Sequence, residues 1–398
     1  MSQLNAFETC LNLIRQNAIK KNSEMCPLDA CLGRKLAEPV IAKISRPSVA
    51  VSAMDGYAVR LDDVASEGAK LDIIGAAPAG SPFHGTVKAG QAVRIFTGGE
   101  MPTGANHVVP QELTTSADQN VTINKAYTHA AHVRAAGIDF QEGAALIPSG
   151  TWLGSAELAI AAAANYGALR VYEPVTIALL SNGNELKPPG STLEAGEVIS
   201  SNPSALSALI QKWGAQASNL GIASDSIEAI QSHIRRAEDA DIIVPIGGAS
   251  VGDHDHMRAA FAELGYENIF QKVAIKPGKP TWFAKKGSQY VLGLPGNPAS
   301  ALVCAHLFLP SLIDADYKQK QHRASLTSPM KSNGSRINFL RAVASLTPDG
   351  VLQVAPAPSQ DSSLLSPFLS ANCLIRQPVD SPELAAGTLV DILMIGEL

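Results

Sequence analysis

The 398-residue chain has no excess of charge of one sign: 31 lysines and arginines stand against 36 acidic residues, a net charge of −5. Without a basic field, recognition of nucleic acid or of an acidic membrane surface is not expected, and any anionic ligand must be held by local lysines and backbone amides. There is no Cys-x-x-Cys pair. The five cysteines (Cys10, Cys26, Cys31, Cys304, Cys373) are an odd set, which argues against a disulfide framework and for free thiols in a reducing compartment. No apolar run reaches about 18 residues, so no membrane-spanning helix is expected. The start, Met1-Ser-Gln-Leu-Asn-Ala-Phe-Glu, has neither a basic n-region nor an apolar h-region; no signal peptide is read there, and the expected compartment is the cytoplasm. Internal repeats and low-complexity tracts are missing too, apart from the alanines Ala161 to Ala164.

What is present is ordinary globular material, 46% hydrophobic and 17% charged. At roughly 150 residues per domain, the length suggests two to four domains. Leu4, Phe7, Leu11, Ile14 and Ala18 recur at three- and four-residue spacing and predict an amphipathic first helix. From about Arg46 to Glu142, short β-type runs (Leu71 to Ile74, Ala92 to Phe96, His107 to Val109, Val121 to Ile123) alternate with Gly, Pro and Asn turns, as in a small β-rich domain. A helix follows from about Ala156 to Tyr166, with Ser155 as N-cap and Gly167 as C′ residue.

From Val175 strands and helices alternate. Val175 to Leu180 is a continuous apolar run, as expected of a strand covered on both faces. Asn202-Pro203 opens a helix that stops near Gly214, Ser226 to Ala237 forms the next, and Asp241 to Ile246 is a strand. A helix from His256 to Leu264, strands near Val273 and Val291, and an apolar helix from Asn297-Pro298 through Leu312 complete the series. This βαβ alternation implies an α/β fold with a doubly wound, mainly parallel sheet. After about Thr327 the texture is β again (Ile337 to Ala344, Val351 to Ala355, Leu374 to Arg376, Leu389 to Ile395), which predicts a C-terminal β domain.

Four glycine-bearing loops follow apolar runs in the α/β region: Ser181-Asn-Gly-Asn-Glu-Leu186, Gly247-Gly-Ala-Ser-Val-Gly-Asp-His-Asp255, Lys276-Pro-Gly-Lys-Pro280 and Gly293-Leu-Pro-Gly-Asn-Pro298. Open α/β sheets bind ligands outside the carboxyl ends of their strands, so these loops read as one site for an anionic ligand. Gly247, Gly248 and Gly252 permit successive N–H groups to form an anion nest. Glu185 and Asp255 offer carboxylate oxygens to Mg²⁺, which would bridge ligand oxygens. Lys276 and Lys279 flank a stiff Pro-Gly turn and suit a tetrahedral oxyanion. Asn297-Pro298 with Ser300 sets a helix N-terminus at another strand end, a position favourable to anions.

Each feature has a plain structural alternative: a helix-packing turn, solvated lysines, a solvated glutamate, an ordinary helix cap. His254 and His256 flank Asp255 with no cysteine or further histidine nearby, so zinc is not expected. In the first half, Asp55, Thr97 and Asp139 lie in turn-rich segments, where capping is the usual role.

Taken together, these segments resemble the molybdopterin molybdenumtransferase family, which includes the C-terminal domain of gephyrin. Ser52-Ala-Met-Asp-Gly-Tyr-Ala58, Arg94-Ile-Phe-Thr-Gly-Gly-Glu-Met-Pro-Thr-Gly-Ala105 and Val133-Arg-Ala-Ala-Gly-Ile-Asp139 are similar to the family's first three motifs. The Asn-Glu-Leu loop, the Gly-Gly-x-Ser-Val-Gly loop, Lys276 to Pro280 and Leu294 to Ser300 follow in the family's order, so the likeness covers nearly the whole chain. It implies a discontinuous helical linker domain (1–45 and 146–173), a β-rich lid domain (46–145), an α/β molybdopterin-binding domain (174–326) and a C-terminal β domain (327–398). It also implies an L-shaped subunit in a homodimer, with the active site between the α/β domain of one subunit and the lid of its partner.

The implied reaction takes adenylylated molybdopterin, the product of the partner enzyme molybdopterin adenylyltransferase, together with molybdate. Mg²⁺ assists cleavage, AMP leaves and molybdenum enters the dithiolene. Position by position, Asp55, Thr97 and Asp139 match lid-side catalytic residues, and Glu185 and Asp255 match acidic catalytic and metal-binding residues. Gly247, Gly248, Ser250, Gly252, Lys276, Lys279, Pro280 and Ser300 match the molybdate and phosphate region, and Arg341 and Ser362 the contribution of the C-terminal domain.

Four positions depart from the family's pattern. Asn184, Ser200 and Ala50 stand where Asp is usual, and Ile246 where Ser is usual. Two unit charges ~4 Å apart interact by about 4 kcal/mol at an effective dielectric of ~20, so an Asp-to-Asn change is expected to weaken Mg²⁺ binding, although an amide oxygen remains a ligand. The leading expectation is a Mg²⁺-dependent molybdenum insertase. The alternatives are a non-catalytic or specialised paralogue that binds molybdopterin as a scaffold, and a molybdopterin adenylyltransferase, against which the flanking β domains argue.

Overall fold

The apolar run after Val175 forms the strand Thr176–Asn182, buried at every residue after Thr176 because helices cover both its faces. Ile177 and Leu179 point into one core, and Ala178 and Leu180 into another, the period of two that a strand dictates. The computed structural model describes residues 4–248 and 256–398. The chain divides into two units, one of residues 23–172 and one that joins the chain up to Asn22 with 173–398.

In the latter unit a six-stranded sheet runs in the order Gln216–Ala223, Thr176–Asn182, Ile242–Ile246, Gln289–Gly293, Trp282–Lys286, Glu267–Phe270. The first four strands are parallel and the last two are added antiparallel. Helices Phe7–Gln16, Asn202–Lys212 and Pro298–Ile313 share the core on one face; Ile227–Arg235 and His256–Glu263 share the other. All of Pro298–Ile313 except Pro298 and His306 is buried, because the helix lies between the sheet and the C-terminal β domain. Phe7 joins the two, its ring 5.6 Å from Phe308 and 5.1 Å from Phe339.

The strand expected near Val273 is corrected by the structure. Ile275–Lys276 leaves the α/β sheet and pairs in parallel with Ile337–Leu346 of the C-terminal sheet. The hairpin of Trp282–Lys286 and Gln289–Gly293 fills the α/β sheet instead, so the lysine turn follows a strand of a different sheet. The C-terminal strands lie in the order Ile275–Lys276, Ile337–Leu346, Leu352–Pro356, Gln321–Leu326, Leu389–Met394, Cys373–Gln377, and the last pairs back onto Ile337–Leu346 to give a barrel-like closure.

Residues 23–172 hold a third six-stranded sheet, His107–Pro110, Gly56–Val59, Gln91–Ile95, Lys70–Ala77, Asn120–Ile123, Thr114–Ala117. The helix expected from Ala156 to Tyr166 spans Ser155–Ala163. Its N-cap is Gly154, whose N–H donates to Glu157 Oε2 at 2.9 Å, and Asn165, not Gly167, takes the left-handed conformation after it. Likewise Ser201, one residue before the expected Asn202, is the N-cap of Asn202–Lys212. Ser226 does cap its helix, accepting from the N–H of Ala229 at 3.2 Å. All five cysteines are free and buried. Among the described residues no helix is long and apolar enough to cross a membrane.

Candidate active site

From Thr176–Asn182 the chain moves first to Gln216–Ala223 on one side and then to Ile242–Ile246 on the other, so the winding reverses between these strands. A crevice at the carboxyl ends of such a switch point is where open α/β sheets bind ligands. Here it is a cavity of about 630 Å³. The strand ends (Ser181, Asn182, Ile246), their loops (Glu185, Gly247, Gly248), Pro280 and the starts of two helices line it.

Both helices start at the cavity. Ser201 and Asn297 are the N-caps of Asn202–Lys212 and Pro298–Ile313, and neither side chain bonds to its own first turn. The helix dipole favours an anion at such a place, although in the second helix the Ala299 N–H is already donated to the Ser362 carbonyl at 3.0 Å. Asn202 Nδ2 donates to the Gly296 carbonyl at 2.8 Å, while its Oδ1 is buried without a hydrogen-bond partner among the described residues. Gly248 holds φ +67° with its α-carbon over Asn182; an added Cβ would lie 2.7 Å from Asn182 Oδ1.

Of the residues singled out in the sequence, Glu185, Gly247, Gly248 and Pro280 come together around this cavity. Ser250, Gly252 and Asp255 lie outside the described residues. Lys276 and Lys279 are exposed on a turn anchored from beneath: Thr281 Oγ1 donates to the Gly278 carbonyl at 2.8 Å, and Cys304 packs against Gly278. Ser300 is buried in the first turns of its helix and is not part of the cavity lining. Arg341 is buried as well and donates to three carbonyls, from Nη1 to Leu364 (2.6 Å) and from Nη2 to Ser359 (3.3 Å) and Asp361 (2.8 Å). Ser362 Oγ accepts from Asn297 Nδ2 at 2.9 Å, and its neighbour Ser363 lines the cavity.

The unusual positions have specific local roles. Asn184 Oδ1 accepts from the Asp225 N–H at 3.1 Å, and the Asp225 carboxylate accepts from the Asn184 N–H at 3.2 Å. Ser200 Oγ pairs with Ser181 Oγ at 3.0 Å, a buried neutral couple. Ile246 is buried in the core at the strand end and is among the residues that line the cavity. Asp225, Asn202, Asn182 and Ser363 were not assigned to the site by the sequence reading. Asp225 and Asn182 were open to it, since they stand at carboxyl ends of parallel strands. Ser363 was not, because only its docking brings it to the cavity.

In residues 23–172 three distant motif segments meet. Ser52 exchanges backbone bonds with Gly98 and Gly99, Ala53 donates to His132, and Asp139 to the Arg46 carbonyl. Met101 donates to the carbonyl of Ala50. Asp55 Oδ1 accepts from both the N–H and the Oγ1 of Thr97 at 2.7 Å. These two bonds, backbone first, hold the Asp55 carboxyl below its usual range, with Arg94 adding a smaller pull. Asp139 pairs with Arg46 at 3.5 Å in an exposed ion pair.

Comparison with known proteins agrees along the length of the chain. Family models match residues 5–165 (MoeA N-terminal region, domain I and II), 178–314 (probable molybdopterin binding domain) and 323–395 (MoeA C-terminal region, domain IV). A molybdopterin molybdenumtransferase of Haemophilus influenzae is 32% identical over 388 residues, 96% of each chain. One from a Nostoc species is 37% identical over 310 residues, 76% of this chain and 71% of the relative. The crystal structure of the molybdopterin biosynthesis MoeA protein from Pyrococcus horikosii matches with a TM-score of 0.83 at 28% identity, covering all of both chains. The chain belongs to the molybdopterin molybdenumtransferase family of molybdenum cofactor biosynthesis.

Proposed function

We propose that this chain transfers molybdenum from molybdate into adenylylated molybdopterin with release of AMP, at the cavity where its α/β sheet reverses winding. One observation carries the reading: two helix N-termini, Glu185 and Asn202, whose Oδ1 has no partner among the described residues, converge on a single space of about 630 Å³. That volume suits a small-molecule ligand, and the lining suits phosphate oxygens.

Glu185 and Asn202 Oδ1 are oxygen donors of the kind Mg²⁺ takes, with Asp255 joining them on sequence grounds. Mg²⁺ would supply neutralisation of phosphate charge. The chain's own groups do the rest. The helix starts at Asn202 and Pro298 orient phosphate oxygens beside Gly247 and Gly248, and Ser250 and Gly252 are assigned to the same ligand on sequence grounds. Lys276 and Lys279 draw a tetrahedral dianion to the site by charge. Asp55, kept ionised by Thr97, accepts hydrogen bonds at neutral pH, and with Asp139 it completes the site from the lid of a partner subunit in a homodimer.

The test is AMP release from adenylylated molybdopterin in the presence of molybdate and Mg²⁺. Release that requires both is expected; none above a no-enzyme control overturns the reading. Shared sites make a second demand: mixed Asp55→Asn and Glu185→Gln subunits should recover activity that neither variant has alone.

A second reading, a molybdopterin-binding scaffold without turnover, is favoured by a specific feature. Asn184 and Ser200 engage Asp225 and Ser181, so two positions that are acidic in the family's pattern bring no charge to the cavity. Calorimetry that detects molybdopterin binding by a turnover-inactive wild type would support it.

A further inference from the structure

We propose that Asn297 and Arg341 are positioning residues, which fix the Ser359–Leu364 loop of the C-terminal domain as a wall of the cavity and act through that loop. The inference rests on the proposed transfer at this cavity and assigns the C-terminal domain its part in it.

Asn297 occupies the N-cap of a 16-residue helix, yet its side chain makes no cap bond. Its Nδ2 donates to Ser362 Oγ at 2.9 Å, and the N–H of Ala299, in the first turn, donates to the Ser362 carbonyl at 3.0 Å. Ser362 therefore receives one side-chain and one backbone donor from the helix start. The far side of the loop is clasped by Arg341, whose guanidinium reaches the carbonyls of Ser359, Asp361 and Leu364. Gln360 closes the clasp: its Oε1 accepts from the Arg341 N–H at 3.0 Å and its Nε2 donates to the Arg341 carbonyl at 2.9 Å. Asp361 Oδ1 accepts from the N–H (2.9 Å) and Oγ (2.7 Å) of Ser363.

No strand or helix runs through this loop, so its place depends on these bonds. Ser363, which lines the cavity, follows directly after the residue that Asn297 holds. The strand that carries Arg341 also pairs with Ile275–Lys276. One strand thereby registers both the loop wall and the start of the lysine turn.

The experiment compares Asn297→Ala, Ser362→Ala, the double variant and Arg341→Lys by hydrogen–deuterium exchange and steady-state kinetics. Each alanine variant should speed exchange of the 359–364 amides about fivefold, the effect of one net side-chain hydrogen bond. KM for adenylylated molybdopterin should rise by a similar factor while kcat changes less than about twofold. The double variant should be no worse than the worse single, because both remove the same bond. Arg341→Lys keeps the charge but loses the fork, and should loosen the whole loop. Additive single effects, or a fall in kcat with loop exchange unchanged, would overturn the inference. If the wild type shows no turnover, the transfer reading fails by itself. The exchange data then still decide whether Asn297 holds the loop, and unchanged exchange in Asn297→Ala rejects it.

Discussion

Replacing Gly278 by alanine should break the support under the lysine turn. Gly278 holds φ +110°, and an added Cβ would lie 2.2 Å from Cys304 Sγ and 2.9 Å from Ile275 Cδ1. Cys304 and Ile275 are fully buried, so neither has room to swing aside. A non-glycine residue in that backbone region costs of order 1–3 kcal/mol. Forcing extra volume into a packed core costs typically about 1–3 kcal/mol more. The sum is roughly 2–6 kcal/mol. At about 2–4 °C per kcal/mol for a unit of this size, the melting midpoint should fall by roughly 5 °C or more. Calorimetry at a fixed scan rate measures it, because a chain of several domains can unfold irreversibly. The two contributions separate in a cycle with Cys304→Ala. Removing the sulfur should relieve the steric share and leave the backbone share, so Gly278→Ala should cost clearly less in that background. A Gly278→Ala protein that melts within about 1 °C of the parent, or an equal cost in both backgrounds, would refute the reasoning.

Three further outcomes are expected. His306, pressed by burial and by Lys212 down to about 4, and His107, pressed by burial and by His132 down to about 4, are both neutral when folded. Unfolding lets each take up a proton, so stability should be level above about pH 7 and fall as pH drops from about 6.5 toward 4, by up to about 3 kcal/mol per residue. Urea titrations of wild type, His306→Gln and His107→Gln across that window check it; an acid limb as steep in both variants as in wild type would count against it. Asn184→Asp puts a carboxylate next to that of Asp225, so the metal-free protein should melt slightly lower while the rise in midpoint on adding Mg²⁺ becomes larger. An unchanged Mg²⁺ response would sink that expectation. Thr97→Val keeps the backbone bond to Asp55 but removes the hydroxyl, so the carboxyl should titrate at higher pH and the acid limb of AMP release should move upward. A superimposable pH profile would rule it out.

Much of the architecture was legible because local signals and tertiary roles coincide. The strands Thr176–Asn182, Ile242–Ile246 and Gln289–Gly293 and the helices around them read correctly, because strands buried on both faces must be apolar throughout and helices between them must carry a stripe, whereas Gln216–Ala223, Glu267–Phe270 and Trp282–Lys286 went unread. Ser226 was readable as a cap because its hydroxyl acts on its own turn. Asn297 was not. The same cap residue directs its amide to Ser362, some sixty residues away in sequence, a choice set by what packs opposite. Ile275–Lys276 misled for a similar reason: a short apolar strand carries no mark of which sheet it joins, and here the C-terminal sheet offers the open edge.

The sequence by itself determined the family, the α/β and β character of successive regions, and the chemical character of the loops, since composition, period and turn residues are local properties. Only the tertiary structure decided which loops share a space. Glu185, Gly247, Gly248 and Pro280 meet at the switch point, while Lys276 and Lys279 ride on an anchored turn that lends the lining only Pro280. It decided as well that Arg341 points into backbone carbonyls, because a buried guanidinium must satisfy its donors with whatever acceptors the fold brings within reach.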